Sequence, residues 1–292
     1  MLTESRNPRS AAIDTLPTLE VLRLINDEDA TVAGTVRRAL PDIAQAVDAV
    51  VDSLGRGGRL FYVGAGTSGR LAVLDAVELV PTYSAPPDLV VPLIAGGTPA
   101  LTRSLEGVED RDEEGRRDLL EAGVRAGDVV VGLAASGRTP YVLGALAAAR
   151  GAGAVTVGIS CNQPAPLLEA ADIAIALPVG PEVITGSTRM KAGTAQKMAL
   201  NLLSTAAMVR LGKVYGNLMV DVQVKNAKLE RRARGMVMEI TGLEEERAGQ
   251  LLAGAGYEVK TAVVMALLGV SVEEARERLA GSGGVLRKVI GR

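Results

Sequence analysis

The sequence predicts an α/β protein in which a mostly parallel, five-stranded sheet is flanked by helices. The first observation is a set of short, continuous apolar runs that alternate with stretches of helical periodicity. The second is that glycine-rich turns separate most of these stretches. Strands of a sheet that is covered on both faces read as continuous apolar runs, which is the pattern found here. The predicted strands cover residues 60–63, 89–95, 129–133, 155–160 and 173–177.

Helices are predicted before, between and after these strands. Apolar residues recur at helical spacing over 17–54, where Pro41 begins a new helix and the glycines of 55–58 end it. This part is expected to be an N-terminal helical segment. The remaining predicted helices cover residues 70–79, 99–121 with a break near Gly107, 140–150 and 190–211.

The C-terminal part of the chain contains a weak internal repeat. Residues 246–262 and 273–289 share an acidic start, a Leu-Ala-Gly triplet and a basic-apolar end, at an offset of 27 residues. Two copies are too few for a solenoid, so the repeat predicts a small helical domain. The expected division is an N-terminal helical segment at 1–58, an α/β domain at 59–225 and a C-terminal helical domain at 226–292.

Composition excludes several classes of function. The chain has no histidine, so imidazole-based catalysis and histidine-ligated metal sites are excluded, and no metal or cofactor is expected. A net charge of −2 and an aromatic content of 2% argue against nucleic-acid binding. A single cysteine, Cys161, fits a reducing compartment, and no apolar stretch is long enough to span a membrane. The expected location is the cytoplasm.

Three glycine- and hydroxyl-rich segments follow predicted strands and lead into predicted helices. We call them segment A (residues 64–70), segment B (135–140) and segment C (185–191). Backbone amides at a helix start are unpaired, and nearby hydroxyls add donors, so such segments can hold a phosphate. One such start is usually only a helix cap, but three in one chain, each with an arginine, favour anion binding. The candidate phosphate-binding residues are Gly66, Thr67, Ser68, Ser136, Gly137, Arg138, Thr139, Ser187, Thr188 and Lys191.

Segment A also has the glycine spacing of a dinucleotide-binding loop. That interpretation requires an acidic residue at the end of the next strand, to hold the ribose. The nearest acid, Asp88, precedes the predicted strand, and the strand's end reads Ile94-Ala95-Gly96-Gly97. The spacing therefore favours a phosphate over a dinucleotide.

The three segments and several longer motifs resemble a known family. The chain is similar to sugar isomerase domain proteins and, more narrowly, to the N-acetylmuramic acid 6-phosphate etherases. Ser-Gly-x-Thr in segment B marks only the broad superfamily, whereas two other runs are more specific. Besides segments A and B, the resemblance is carried by residues 81–83, 93–97, Glu-Gly-Val-Glu-Asp at 106–110, Gly-Ser-Thr-Arg-Met-Lys-Ala-Gly-Thr at 186–194, and 212–221.

This resemblance implies a homodimeric lyase with its site at the subunit interface. The family cleaves the lactyl ether of its phosphosugar substrate and yields N-acetylglucosamine 6-phosphate and D-lactate, in peptidoglycan recycling and amino-sugar catabolism. Its two functional acids correspond to Glu78 and Glu109. The resemblance implies no nucleic-acid partner, no membrane partner and no cofactor.

The residues themselves are compatible with this chemistry. Elimination requires one group to take the proton on carbon 2 and another to protonate the leaving oxygen on carbon 3, and two carboxyls can do both. Glu78 is expected near the end of a helix that stops before Pro81, where the helix dipole and apolar neighbours would disfavour its charge. Glu78 is therefore expected to be the acid. Assigning Glu109 as the base depends on the resemblance, because the residues alone do not distinguish it from Glu106.

Two alternatives remain at this point. One is a phosphosugar isomerase or deaminase of the same fold, although such enzymes commonly open the sugar ring with a histidine. The other is a non-catalytic phosphosugar sensor of the glucokinase regulatory protein type. Such a sensor would bind phosphosugar and tolerate the loss of either glutamate.

Overall fold

The computed structural model describes residues 1–291 and confirms the α/β class. Its five strands are all parallel and lie in the order β2-β1-β3-β4-β5, so β3 is the central strand and β1 and β4 lie on either side of it. The strand predictions are confirmed to within one or two residues at each end. The strands are β1 (Leu60–Gly64), β2 (Val90–Ile94), β3 (Val129–Ala134), β4 (Val155–Ser160) and β5 (Ile173–Ala176).

The helices flanking the sheet bury its apolar strands. Every residue of β1 and β3 is buried, as expected for strands covered on both faces. The helices up to the end of the α/β region are α1 (Thr18–Asp29), α2 (Val32–Arg38), α3 (Leu40–Gly55), α4 (Gly66–Tyr83), α5 (Asp112–Glu121), α6 (Pro140–Gly151), α7 (Pro166–Ala170) and α8 (Lys191–Arg210).

Two of the predicted helices differ from the structure. The helix expected over 99–121 is only a 3₁₀ turn at Thr98–Leu101, an irregular stretch, and then α5. Gly107 has φ +75°, a left-handed conformation that interrupts a right-handed helix. The helix expected over 70–79 is longer at both ends, because α4 begins inside segment A and continues through Pro81. Pro81 lies near the C-terminal end of α4, where its loss of one backbone hydrogen bond is tolerated.

The chain divides into two units by the density of its internal contacts. The first comprises Met1–Ala76 and Asp88–Ser204, and the second comprises Val77–Pro87 and the chain from Thr205 onward. The three-part division proposed above, with boundaries at 58 and 225, stays a prediction.

The C-terminal helices show the 27-residue repeat as structure. Glu245 and Val272 begin α10 and α12, and Val259 and Leu286 begin α11 and α13, so each pair of starts is 27 positions apart. The turns match as well, since Tyr257 N and Gly284 N each donate to a carbonyl five residues earlier at 2.8 Å. The repeat is therefore a duplicated helix pair. This region consists of α9 (Ala227–Thr241), α10 (Glu245–Gly254), α11 (Val259–Leu268), α12 (Val272–Gly281) and α13 (Leu286–Ile290).

Within residues 1–291, no single helix is both long and apolar enough to cross a membrane. The helices α10 and α11, which are bent by 115° at the break between them, meet the length and composition only as a pair.

Candidate active site

Segments A and B lie side by side at the carboxyl edge of the sheet. Segment A continues from β1 and segment B from β3, and these parallel strands are paired in register, with Gly64 opposite Leu133. Ligands of open α/β sheets bind beyond the carboxyl ends of the strands. The structure therefore places segments A and B next to each other.

The glycines of segment A allow α4 to start directly against the sheet. A Cβ atom on Gly69 would lie 2.6 Å from Ile94 Cγ1 and 2.9 Å from Gly64 O, which leaves no room for a side chain. Gly66, the first residue of α4, has φ +53°. The backbone amides at the start of α4 thus lie close to the end of β1, where a phosphate can approach them.

Segment B forms a tight turn before α6. Gly137 has φ +68°, and a Cβ there would lie 2.5 Å from Ser160 Oγ. The amide of Arg138 donates to Ser136 Oγ at 3.2 Å. The hydroxyl-bearing residues Ser136 and Thr139 are half-buried, whereas Arg138 is exposed. Segment B therefore offers two hydroxyls and one guanidinium to a ligand.

Segment C differs, because a buried carboxylate already binds the first amides of α8. Glu182 accepts from Lys191 N at 3.0 Å and from Ala192 N at 2.9 Å, and its side chain is fully buried. Burial raises the pKa of Glu182, although these amide hydrogen bonds oppose the rise. Because these two amides are taken, the groups that segment C still offers include the hydroxyls of Ser187 and Thr188, which are half-buried, and the exposed Arg189.

The side chain of Lys191 is also engaged inside the protein. Only 3% of it is exposed, and its Nζ lies 2.6 Å from Glu28 Oε2. Burial acts to raise the pKa of Glu28, but Lys191, Asn7 and Arg9 together lower it. A direct contact between Lys191 and phosphate stays a prediction, and the ion pair with Glu28 gives this lysine a role in fixing the start of α8.

Segments A and C are linked by contacts between the first turns of α4 and α8. A Cβ on Gly193 would lie 3.4 Å from Thr67 Cγ2, so the two helices approach closely at this point. Ser68 Oγ donates to Gln196 Oε1 at 2.8 Å, and both side chains are buried. The sequence indicated the Ser68 hydroxyl, but nothing in it singled out Gln196.

Segments B and C are linked through the N-terminal residues, which sequence reasoning missed. Asn162 Nδ2 donates to Ala135 O at 2.8 Å and to Thr3 Oγ1 at 2.9 Å. The amide of Gly186 donates to Thr3 O at 3.3 Å. Thr3 and Asn162 are almost completely buried, so this bridge is shielded from water. The one available signal was that Asn162 is a polar residue just after a predicted strand.

Glu109 lies beside segment B. Its carbonyl oxygen accepts from Tyr141 N, in the first turn of α6, at 3.0 Å. It belongs to the irregular stretch before α5 and is half-buried, so the expected acidic helix face is not its setting. The structure therefore places one predicted catalytic glutamate next to a predicted phosphate-binding segment.

Glu78 lies on an exposed face of α4. Its side chain is exposed, as are the neighbouring Leu74 and Val77, at 51% and 52%. The expectation that the helix stops before Pro81 is wrong, because α4 continues to Tyr83. Glu78 belongs to the second unit, whereas segments A, B and C belong to the first.

Metal-ligating side chains and the thiol are further candidate groups. In the part of the chain that the structure describes, no three or more acidic or cysteine side chains are grouped so as to hold a metal ion. Cys161 is buried, and burial raises the pKa of its thiol to about 12. A thiol with this pKa is a poor nucleophile at neutral pH.

Comparison with known proteins gives three domain matches. Residues 111–206 match the SIS domain, residues 42–150 match the N-terminal SIS domain of glucokinase regulatory protein, and residues 216–261 match the C-terminal lid domain of that protein.

Curated relatives align with nearly the whole chain at high sequence identity. An N-acetylmuramic acid 6-phosphate etherase of Aeromonas hydrophila is 57% identical over 91% of this chain and 89% of its own. Another from Mycolicibacterium smegmatis is 56% identical over 99% of this chain and 97% of its own. A phosphoheptose isomerase of Francisella tularensis shares the fold, with a TM-score of 0.51 at 18% identity over 66% of this chain and 100% of its own.

Proposed function

Because the chain belongs to the family of N-acetylmuramic acid 6-phosphate etherases, we propose that it cleaves the D-lactyl ether of N-acetylmuramic acid 6-phosphate. The products are N-acetylglucosamine 6-phosphate and D-lactate, as expected for a carbon–oxygen lyase of peptidoglycan recycling. The observation that carries this proposal is the identity of 56–57% with etherases over nine-tenths or more of the chain.

The phosphate is held by segments A, B and C. Segment A contributes backbone amides at the start of α4 together with two hydroxyls, and segment B contributes two hydroxyls and the exposed guanidinium of Arg138. Segment C adds its serine and threonine. A phosphate dianion has only acceptor oxygens, so a site made of donors suits it. Apart from Lys191, whose side chain is paired with Glu28, the residues are those predicted from the sequence.

The reaction is an elimination followed by addition of water. Glu109 takes the proton from carbon 2, which the open-chain aldehyde acidifies, as the bond between carbon 3 and the lactyl oxygen breaks. Glu78 gives its proton to that oxygen, and D-lactate leaves. Water then adds a hydroxyl to carbon 3 and a proton to carbon 2. Each positioned proton transfer is worth about 10² to 10⁴ in rate.

The active form is proposed to be a homodimer whose two sites lie at the subunit interface. Glu109 lies beside segment B of its own chain, in the first unit, whereas Glu78 is an exposed residue of the second unit. We infer that a phosphosugar held at segments A and B meets Glu78 of a second copy. The exposed Leu74 and Val77 next to Glu78 supply apolar area for such an interface.

The two alternatives are less well supported. The regulatory-protein matches cover two separate parts of the chain, whereas the etherase relatives align with nearly all of it. The isomerase resemblance is one of fold, at 18% identity. The cytoplasm is the proposed location, because the buried, unpaired thiol of Cys161 fits a reducing compartment.

Incubation of the purified protein with N-acetylmuramic acid 6-phosphate should release D-lactate, measured with a lactate dehydrogenase assay. Glu78→Gln should lower turnover by about 10² to 10⁴-fold, because it removes the proton donor, while the affinity for N-acetylglucosamine 6-phosphate stays within about twofold. Glu106→Gln, which changes a neighbour of the proposed base, is the matched control and should remain active.

The same reaction run in heavy water tests the base. Deuterium should appear at carbon 2 of the product, detected by mass spectrometry and NMR. Absence of lactate release, full activity of Glu78→Gln or an unlabelled carbon 2 would each contradict the proposed mechanism.

A further inference from the structure

One buried polar group near the proposed phosphate site lacks a partner. The side chain of Gln196, in the second turn of α8, is 1% exposed. Its Oε1 accepts from Ser68 Oγ at 2.8 Å, but its Nε2 has no hydrogen-bond partner within residues 1–291. A buried amide donor without a partner is destabilising by about 1–3 kcal/mol and is uncommon in native proteins. Such a group calls for a functional explanation.

We propose that Gln196 is a positioning residue that sets the direction of the Ser68 hydroxyl for phosphate binding. This inference rests on the proposed function, because it assumes that segment A holds the substrate's phosphate. Gln196 acts through Ser68 and does not itself touch the reacting atoms.

The side-chain amide of Gln196 can take two orientations. In the structure, Oε1 faces Ser68, so the serine hydroxyl donates its hydrogen to Gln196. A half-turn of the amide brings Nε2 to the same place, and Nε2 then donates to Ser68 Oγ. The hydroxyl hydrogen is released and can point to a ligand at the start of α4. The orientation of the amide therefore determines whether Ser68 donates its hydrogen to Gln196 or to a ligand.

Energetics favour the second orientation only when an anion is present. A hydrogen bond to a charged group contributes about 1.5–3 kcal/mol, against about 0.5–1.5 kcal/mol for one between neutral groups. The switch exchanges an unpaired Nε2 for an unpaired Oε1, and it gains one charge-assisted bond to the phosphate. Without a ligand there is no such gain, and the structure has the hydroxyl bonded to the amide oxygen.

The packing of α8 against α4 brings Gln196 to Ser68. Gly193 precedes Gln196 by three residues, so both lie on the same face of α8. Gly193 leaves space for Thr67, and Gln196 meets the adjacent Ser68. The face of α8 that carries these two residues is therefore shaped around the first turn of α4.

The test replaces Gln196 with a group that only accepts. In Gln196→Glu, the ionised carboxylate holds the Ser68 hydrogen permanently, so the affinity for N-acetylglucosamine 6-phosphate should fall by about 10- to 100-fold at pH 8, as expected for one lost charge-assisted bond. Lowering the pH protonates the carboxyl, which can then donate to Ser68, so the affinity relative to wild type should recover towards pH 5. Isothermal titration calorimetry at each pH measures the dissociation constants.

Three further variants keep the result interpretable. Gln45→Glu makes the same charge change on an exposed face of α3 and should bind as wild type does at every pH. Gln196→Met removes both polar atoms and should weaken binding with no recovery at low pH. In a Ser68→Ala background, Gln196→Glu should cause little additional loss, because the hydroxyl that it traps is absent.

Two results would overturn the inference. One is a Gln196→Glu affinity within twofold of wild type across the pH range. The other is a loss of the same size in the Ser68→Ala background. If Gln196→Glu does not fold, as judged by circular dichroism, the loss of affinity caused by Gln196→Met is compared in the wild-type and Ser68→Ala backgrounds. An equal loss in both would overturn the inference. A wild-type protein that binds the phosphosugar but releases no lactate would contradict the proposed function and leave this inference standing.

Discussion

Asp75 is a buried acid that the proposed reaction does not use. Its carboxylate accepts hydrogen bonds from Tyr62 Oη at 3.1 Å, Asn201 Nδ2 at 2.7 Å and Ser204 Oγ at 3.1 Å. Burial raises the pKa of Asp75, and the three hydrogen bonds only partly oppose this. Within the first unit, Asp75 therefore links α4 to β1 and α8. Its charged form is unfavourable because the carboxylate is buried.

The raised pKa of Asp75 predicts a pH-dependent stability. A carboxyl whose pKa is higher in the folded than in the unfolded protein favours folding at low pH, and this contribution is lost as the pH rises through the folded-state value. Asp75→Asn lacks this titrating carboxyl. The free energy of unfolding of the variant, minus that of wild type, should therefore increase as the pH rises from 3.8, the ordinary pKa of an aspartate, towards neutral. Urea unfolding at steps from pH 4.5 to pH 8 measures this difference.

The exposed Asp88 provides the matched control for this experiment. Asp88→Asn removes one carboxylate at the surface of the same unit and should leave the pH dependence nearly unchanged. If the free energies of unfolding of Asp75→Asn and wild type differ by the same amount over the whole pH range, the proposal that the buried charge is destabilising is wrong.

At the scale of elements, α5 and α6 cross at a point where only glycine fits. A Cβ on Gly115 would lie 1.8 Å from Tyr141 O, and one on Gly144 would lie 2.1 Å from Asp112 O. This close crossing holds the start of α6 against the irregular stretch that carries Glu109. The position of the proposed base therefore depends on two backbone contacts.

Gly115→Ala should force α5 and α6 apart. Overpacking of this kind is destabilising by about 1–3 kcal/mol, and the shift should also move Glu109, so lactate release should fall. Gly151→Ala is the control, because a Cβ on this residue of α6 meets nothing within 4 Å and should leave stability unchanged or slightly higher. Chemical unfolding and the lactate assay measure both effects, and equal stability of the two variants would contradict the prediction.

Elements were predictable where local pattern decides them. The strands follow from continuous apolar runs, and segments A and B follow from glycines and hydroxyls placed directly after β1 and β3. The helix expected over 99–121 is broken at Gly107 as predicted, but the break is wider than expected, because the residues between Leu101 and Asp112 form no helix. The bridge from Thr3 to Asn162 spans 159 residues, and the contact of Ser68 with Gln196 spans 128. No local pattern carries such pairings, so those parts of the site required coordinates.

At the scale of the whole molecule, the central question is which chain supplies each glutamate. Glu109 is fixed beside segment B by its backbone contact with Tyr141, whereas Glu78 is exposed with two apolar neighbours. If two copies associate through this face of α4, each site would combine the segments and base of one subunit with the acid of the other. An isologous dimer makes two equivalent sites of this kind.

This arrangement predicts complementation between two inactive variants. Glu78→Gln and Glu109→Gln should each lack activity alone, but a mixed dimer would have one site with both substitutions and one site with neither. Random mixing makes half of the dimers mixed, and half of their sites are intact, so about a quarter of wild-type activity should return. Each variant taken alone through the same unfolding and refolding is the control. No recovery of lactate release, in mixed dimers confirmed by native mass spectrometry, would show that both glutamates act within one chain.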